Sequence, residues 1–231
     1  MTVLNPGDVW VIVPAYNESK TISQVIAALL PYGYRVVVVD DGSSDETARQ
    51  ALEFPIVLLR HAANLGQGAA LQTGITYAMR VPNARYIVTF DADGQHCVED
   101  IPRLLDPLST GEYDVVLGSR FIKGGQAANM GLRKHIILQL ALAFTRFSTR
   151  LQITDTHNGI RALSVHAATH IRIAQNRMAH ASEILSQIAG LRLRYCEVPV
   201  TVTYTSYSRS KGQSLLESIN ILWELVQGSL R

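Results

Sequence analysis

The chain has 231 residues, 47% of them hydrophobic and 17% charged, and a formal net charge of +2. That composition excludes a disordered chain, and the length suits one α/β domain whose core needs no disulfide or structural metal. The small net charge, with no Lys/Arg run, argues against nucleic acid as a partner.

Along the chain, residues 9–13 form an apolar run that ends at Pro14 and predicts a strand. Ile22, Val25, Ile26, Leu29 and Leu30 then follow helical spacing. A second strand over 35–39 is apolar on both faces, as a central parallel strand should be. Ser43 and Glu46 have capping-box spacing and predict a helix reaching Leu52. A strand over 56–59, a helix over 68–79 and a strand over 85–90 follow. Pro102 fits the first turn of the next helix, and 115–118 reads as a further strand. The second half is less regular. Residues 123–131 are glycine-rich and expected to be mobile, 132–151 to be helical, and 154–161 to be a loop. A helix over 182–189 stops at Gly190, and Val198, Val200 and Val202 alternate as in one half-buried strand. Leu215, Leu216, Ile219, Leu222, Trp223 and Val226 mark an amphipathic helix at about 214–229, closing a single domain over 1–231.

Two properties bear on location. Cys97 and Cys196 stand apart, in no C-x-x-C arrangement, as thiols do in a reducing cytoplasm. Residues 1–8 carry no signal pattern, and no run of about 18 apolar residues occurs, so a cytoplasmic chain without a membrane span is expected.

The βαβα order predicts a mostly parallel sheet with helices on both faces and a ligand beyond the carboxyl ends of the strands. Four unusual segments, 14–18, 40–45, 91–95 and 119–120, fall at those ends. Asp91 and Asp93, two apart at a strand end, leave the same side of it and suit Mg²⁺ or Mn²⁺, with Gln95 able to add an amide oxygen. Asp40 or Asp41 can accept an N–H from a nucleobase, or serve as an anion at a helix start. Arg120, Arg161, Arg209 and Lys211 are candidates for diphosphate binding. His96 and His157 lack a second ligand at metal spacing and read as hydrogen-bonding residues. The stretch G-x-G-x-x-L from Gly66 to Leu71 approaches a dinucleotide fingerprint but lacks its third glycine, which leaves a nicotinamide-dependent dehydrogenase as a rival reading.

Taken in order, V-P-A-Y-N-E (13–18), D-D-G-S-S-D (40–45), N-L-G-Q-G-A-A (64–70), D-A-D-G-Q-H (91–96), G-S-R (118–120) and D-T-H-N-G-I-R (155–161) resemble the family-2 glycosyltransferases of the GT-A fold. The branch most like it is that of dolichol-phosphate mannosyltransferases and polyprenyl-phosphate glycosyltransferases. The resemblance implies that Pro14, Tyr16 and Glu18 line a nucleoside pocket and that Asp41 binds the base. It implies that Asp91 and Ala92 touch the donor, and that Asp93 and Gln95 hold the metal beside Asp91. Arg120 would face the sugar or the acceptor phosphate, and Lys211 would reach the diphosphate. The chain departs from the branch at Thr205, where an Arg stands six residues before the Ser–Lys pair, and it lacks C-terminal membrane helices.

The implied reaction is an inverting displacement from a nucleotide-diphosphate sugar. A polyprenyl phosphate acceptor needs no general base. A hydroxyl acceptor, as in cell-surface polysaccharide synthesis, needs one, and Glu183 is the candidate, its alternative being a plain helix-start glutamate. The apolar stripes of 132–151 and 215–226 suit either peripheral contact with the inner face of the membrane or packing against a second subunit in a homodimer.

Overall fold

A computed structural model describes residues 4–128, 130, 132–176 and 179–204, except for the side chains of 132–134 and 137. The helix expected at 214–229 lies outside the described residues, as do Thr205, Arg209 and Lys211. The elements run β1 (Val9–Ala15), α1 (Ile22–Leu29), β2 (Arg35–Asp40), α2 (Thr47–Ala51), β3 (Val57–Arg60), α3 (Gln67–Arg80) and β4 (Tyr86–Thr89). They continue with α4 (Ile101–Ser109), β5 (Val115–Ser119), β6 (Gln126–Ala128), α5 (Leu132–Thr149), β7 (Arg161–Ser164), α6 (Val165–His170), α7 (His180–Gly190), β8 (Tyr195–Pro199) and β9 (Thr201–Thr203).

Among the described residues, seven strands form one sheet in the order β3-β2-β1-β4-β7-β5-β8, and β6 pairs with β9 in a small second sheet. The central strands are apolar on both faces because both faces are covered. Val9, Val11 and Val13 turn one way, onto Ile22 and Ile26 of α1 and Ile101 and Leu104 of α4. Trp10 and Ile12 turn the other way, joining Leu71 and Ile75 of α3 and Ile184 and Ile188 of α7. This period-two split sets the register of β1 against β2, where Val11 pairs with Val36 and Ala15 with Asp40. It thereby brings Asp40 to the same rim as the end of β1.

Several expectations need correction. The sheet is mostly parallel, as expected, but one strand was not expected at all: β7 runs antiparallel to both β4 and β5, so its first residue, Arg161, lies beside Thr89 and Leu117 at the rim. The expected loop over 154–161 therefore ends one residue earlier, and its position is dictated by that strand. The capping box does not form. Ser43 Oγ accepts the Asn17 N–H instead, Asp45 Oδ1 accepts the Thr47 N–H, and α2 is a five-residue helix without a side-chain cap. Within 123–131, residues Gln126–Ala128 form β6 against β9. The strand expected through Val198, Val200 and Val202 is divided. Its alternation continues, but its partner changes from β5 to β6 on either side of the buried Val200. The helix expected over 132–151 ends at Thr149, and Arg150 takes a left-handed φ of 59°. Gly190 is the last residue of α7, which starts two residues earlier than expected; the chain reverses at Arg192, with φ 53°.

Candidate functional site

The carboxyl ends of β1, β2, β4 and β5 and the start of β7 meet at one rim. Asp91 stands just past β4, its side chain 26% exposed and so within reach of a ligand. Its Oδ1 accepts the Gln67 side-chain amide at 2.8 Å, and its Oδ2 meets His96 Nε2 at 3.1 Å. Gly159 makes this placement possible: a Cβ there would lie 2.0 Å from Asp91 Oδ2. Asp93 Oδ1 accepts the Gln95 N–H at 3.0 Å, and the Gln95 side-chain amide donates to Oδ2. Burial acts to raise the Asp91 pKa, but the His96 hydrogen bond and charge, with His180 and Arg161, carry it below the ordinary value. Asp93 is pushed up to about 6, by burial first and then by the Asp91 charge.

Across the rim, the ends of β1 and β2 are knitted together. Asn17 and Glu18 donate their backbone N–H groups to Ser43 Oγ and Thr47 Oγ1, and Ser19 donates to Asp45 Oδ2. Burial tends to raise the Asp45 pKa, yet hydrogen bonds from Thr47 and Ser19 bring it down to about 2. Pro14 is buried within β1, Tyr16 is exposed at the rim, and Glu18 accepts the Thr21 hydroxyl. Asp41, 2% exposed, accepts the N–H groups of Leu65 and Gly66 and meets His61 Nδ1. Asp40 accepts the Ser43 N–H and pairs with Arg60, whose Nε lies 2.9 Å from its Oδ2. Gly42, Ser43, Arg60, His61 and Ala62 line a cavity of about 400 Å³.

The third wall is the segment 154–160. Glu197 on β8 accepts the N–H groups of Thr154 and Asp155. Asp155 in turn holds Arg120 in a buried bidentate pair at 2.5 and 2.6 Å, and Arg120 donates to the Tyr204 hydroxyl. Burial works against the Arg120 charge, but Asp155 more than offsets it and the pKa rises. Arg161, also buried, is drawn down to about 10 by desolvation, with Asp91 and Asp155 opposing the shift. Glu183, on the first turn of α7, accepts the N–H groups of Ala174 and Gln175.

Residues 10–172 match the family model described as glycosyl transferase family 2. A UDP-N-acetylglucosamine–dolichyl-phosphate N-acetylglucosaminyltransferase of Methanococcus voltae is 31% identical, over 94% of this chain and 94% of its own. The chain belongs to glycosyltransferase family 2. A polyprenol monophosphomannose synthase of Mycolicibacterium smegmatis is 28% identical over 91% of this glycosyltransferase and 82% of its own length. A solved structure of glucosyl-3-phosphoglycerate synthase from Mycobacterium tuberculosis, in complex with Mn²⁺, uridine diphosphate and glucosyl-3-phosphoglycerate, matches with a TM-score of 0.71. That match covers 96% of this chain and 79% of that one at 20% identity, and it shows the GT-A fold.

The family membership sets aside the dehydrogenase reading, and the geometry agrees. The Gly68 N–H bonds to Asn176 O, and a Cβ on Gly68 would lie 2.0 Å from Gln175 O. The start of α3 is thus covered by 175–176 rather than open to a pyrophosphate.

In this glycosyltransferase, Asp91, Ala92, Asp93, Gln95, Arg120, Asp41, Pro14, Tyr16 and Glu18 all lie along the rim. Glu183 is on α7, bound to the strap of residues 174–175. Sequence reasoning gave no role to Gln67, Asp155, Gly159 or Glu197. The first three stood inside recognised motifs; Glu197 carries no sequence signal, because its partners are 42 and 43 residues away.

Proposed function

We propose that this glycosyltransferase transfers a sugar from a nucleotide-diphosphate donor to a polyprenyl-phosphate acceptor by a single inverting displacement. The observation that carries the acceptor class is the engagement of the nearby carboxylates. Asp155 is paired with Arg120, Glu197 holds 154–155, and Glu183 holds 174–175. A hydroxyl acceptor needs a carboxylate to take its proton, whereas a phosphate arrives already as an anion. The relatives named for dolichyl-phosphate and polyprenol substrates support the same acceptor.

On this reading Pro14, Tyr16 and Glu18 line the nucleoside pocket, with Asp41 at its wall. Asp91, Ala92 and Asp93 face the diphosphate and sugar; Lys211, the residue expected at the diphosphate, lies outside the described residues. Asp91, Asp93 and Gln95 fit Mg²⁺ or Mn²⁺ as a hard oxygen set. Among the described residues no group of three His, Cys, Asp or Glu surrounds one point. Mg²⁺, however, needs only one or two carboxylates when phosphates and water complete its shell. When bound, such a cation neutralises charge on the leaving nucleoside diphosphate. Gln67 and His96 orient Asp91, and Arg120, held by Asp155, is assigned to the sugar or the acceptor phosphate.

The test is an assay with nucleotide sugars, Mn²⁺ and a short polyprenyl phosphate. Sugar should appear on the lipid phosphate. Transfer to a soluble hydroxyl acceptor alone would overturn the acceptor assignment.

With such an acceptor we propose that the protein works at a membrane surface, on its cytoplasmic side. Among the described residues no helix is long and apolar enough to cross one. Yet α5 exposes Ile136, Leu140 and Phe147, the last at 87%, and their spacing puts them on one side of the helix, with the exposed Arg146 and Arg150 near its end. We assign this stripe to an anionic bilayer surface. The protein should float with anionic liposomes at low salt and release at high salt, as screened attraction requires. A salt-independent dimer that stays off liposomes would assign the stripe to a second subunit instead.

A further inference from the structure

We propose that His61 is a positioning residue: by holding Asp41 against the amides of Leu65 and Gly66, it fixes the segment that sets Gln67 on Asp91. The proposal rests on the donor-site reading above for its functional consequence.

His61 follows β3 directly, and its backbone N–H extends the sheet by bonding to Asp40 O at 2.9 Å. Its imidazole bridges two elements. Nδ1 lies 2.7 Å from Asp41 Oδ1, and Nε2 lies 3.0 Å from Thr73 Oγ1 on α3. The assignment that satisfies all three groups has Nδ1–H donating to the carboxylate and Nε2 accepting from the threonine hydroxyl. Asp41 is therefore held from behind by a ring that is itself anchored to a core helix.

The front of the carboxylate is committed to backbone. Oδ1 accepts the Leu65 N–H at 2.9 Å and Oδ2 the Gly66 N–H at 2.7 Å. The preceding residues are pinned as well, since a Cβ on Gly42 would lie 2.6 Å from the Ala63 carbonyl carbon. Gly66 has φ 104° and ψ 159°, a conformation that only glycine adopts readily, and it gives the turn into α3 one shape. The next residue is Gln67, whose side-chain amide reaches Asp91 Oδ1. A contiguous path thus runs from His61 through Asp41, the 65–66 amides and Gln67 to the carboxylate on the other side of the site. With three donors on a carboxylate that is 2% exposed, Asp41 is committed to this segment.

Two conservative variants separate this role from a general packing role. In His61→Asn the side-chain amide occupies the place of Nδ1 and retains the Asp41 contact. In His61→Gln it occupies the place of Nε2 and retains only the Thr73 contact. Hydrogen exchange at Leu65 and Gly66 in the ligand-free protein should quicken roughly tenfold in His61→Gln, the size expected for loss of one hydrogen bond to a charged group. The dissociation constant for a nucleoside diphosphate with Mn²⁺ should rise by a similar factor, with the ranking of UDP, GDP and ADP unchanged. His61→Asn should stay within about twofold of the parent on both readouts, well inside one such bond. Should His61→Gln fail to fold, Thr73→Val removes the other end of the relay and allows the same comparison. Equal behaviour of the two His61 variants, an altered base ranking, or faster exchange with unchanged affinity overturns the proposal. A parent protein that binds no nucleoside diphosphate overturns the donor reading instead, and does so before any variant is made.

Discussion

His157 shows how the site treats a titratable group. Desolvation, with the Arg161 charge next, lowers its pKa from 6.5 to about 4. Nδ1 is paired with the Thr156 hydroxyl, while Nε2 is buried without a hydrogen-bond partner among the described residues. Between those pH values the unfolded chain binds a proton that the folded chain refuses. The associated stability is complete above pH 6.5 and is lost as pH falls toward 4, by at most about 3 kcal/mol. Urea unfolding from pH 7 to pH 4 should therefore show a steeper loss for the parent than for His157→Gln. Parallel curves would mean that His157 is protonated in the folded state. The contacts of such residues were only partly legible in the sequence. Asp91, Asp93 and Asp41 announce themselves by position at strand ends. The Gln67–Asp91 bond, 24 residues apart, and the Glu197 clasp on Thr154 and Asp155 do not, because they exist only once the sheet is assembled.

At the scale of elements, β1, β2, α1 and α3 were readable because each carries a long apolar pattern of one period. β7 was not: it is four residues, R-A-L-S, beginning with a buried arginine, and only its pairing to β4 and β5 makes it a strand. The failed capping box has a similar cause. Ser43 satisfies the Asn17 N–H across the rim, a tertiary demand that overrides the local one. The packing of α3 on β1 yields a direct prediction. A Cβ at Gly74 would lie 2.3 Å from Ile12 Cγ2 and 3.2 Å from Val39 Cγ2, and both partners lie in the core. Gly74→Ala should destabilise the protein by about 1–3 kcal/mol, despite the better helix propensity of alanine. Thermal unfolding at or above the parent midpoint would show that α3 can shift away from the sheet at no cost.

For the whole molecule, six short motifs spread over most of the chain made the family legible, since each falls where the sheet delivers it to one rim. What the sequence could not supply was the path between the two sides of that rim, which runs through side chains paired across the fold. We expect this rim to bind a nucleotide-diphosphate donor with a divalent cation at Asp91 and Asp93. The decisive measurement is calorimetric titration of UDP, GDP and ADP into the parent and Asp93→Ala, with Mn²⁺ or with excess EDTA. One nucleoside diphosphate should bind the parent with Mn²⁺, and EDTA should weaken it at least about tenfold. Asp93→Ala, melting like the parent, should reproduce that loss. Equal affinity with and without metal, or binding by Asp93→Ala as tight as by the parent, would contradict it.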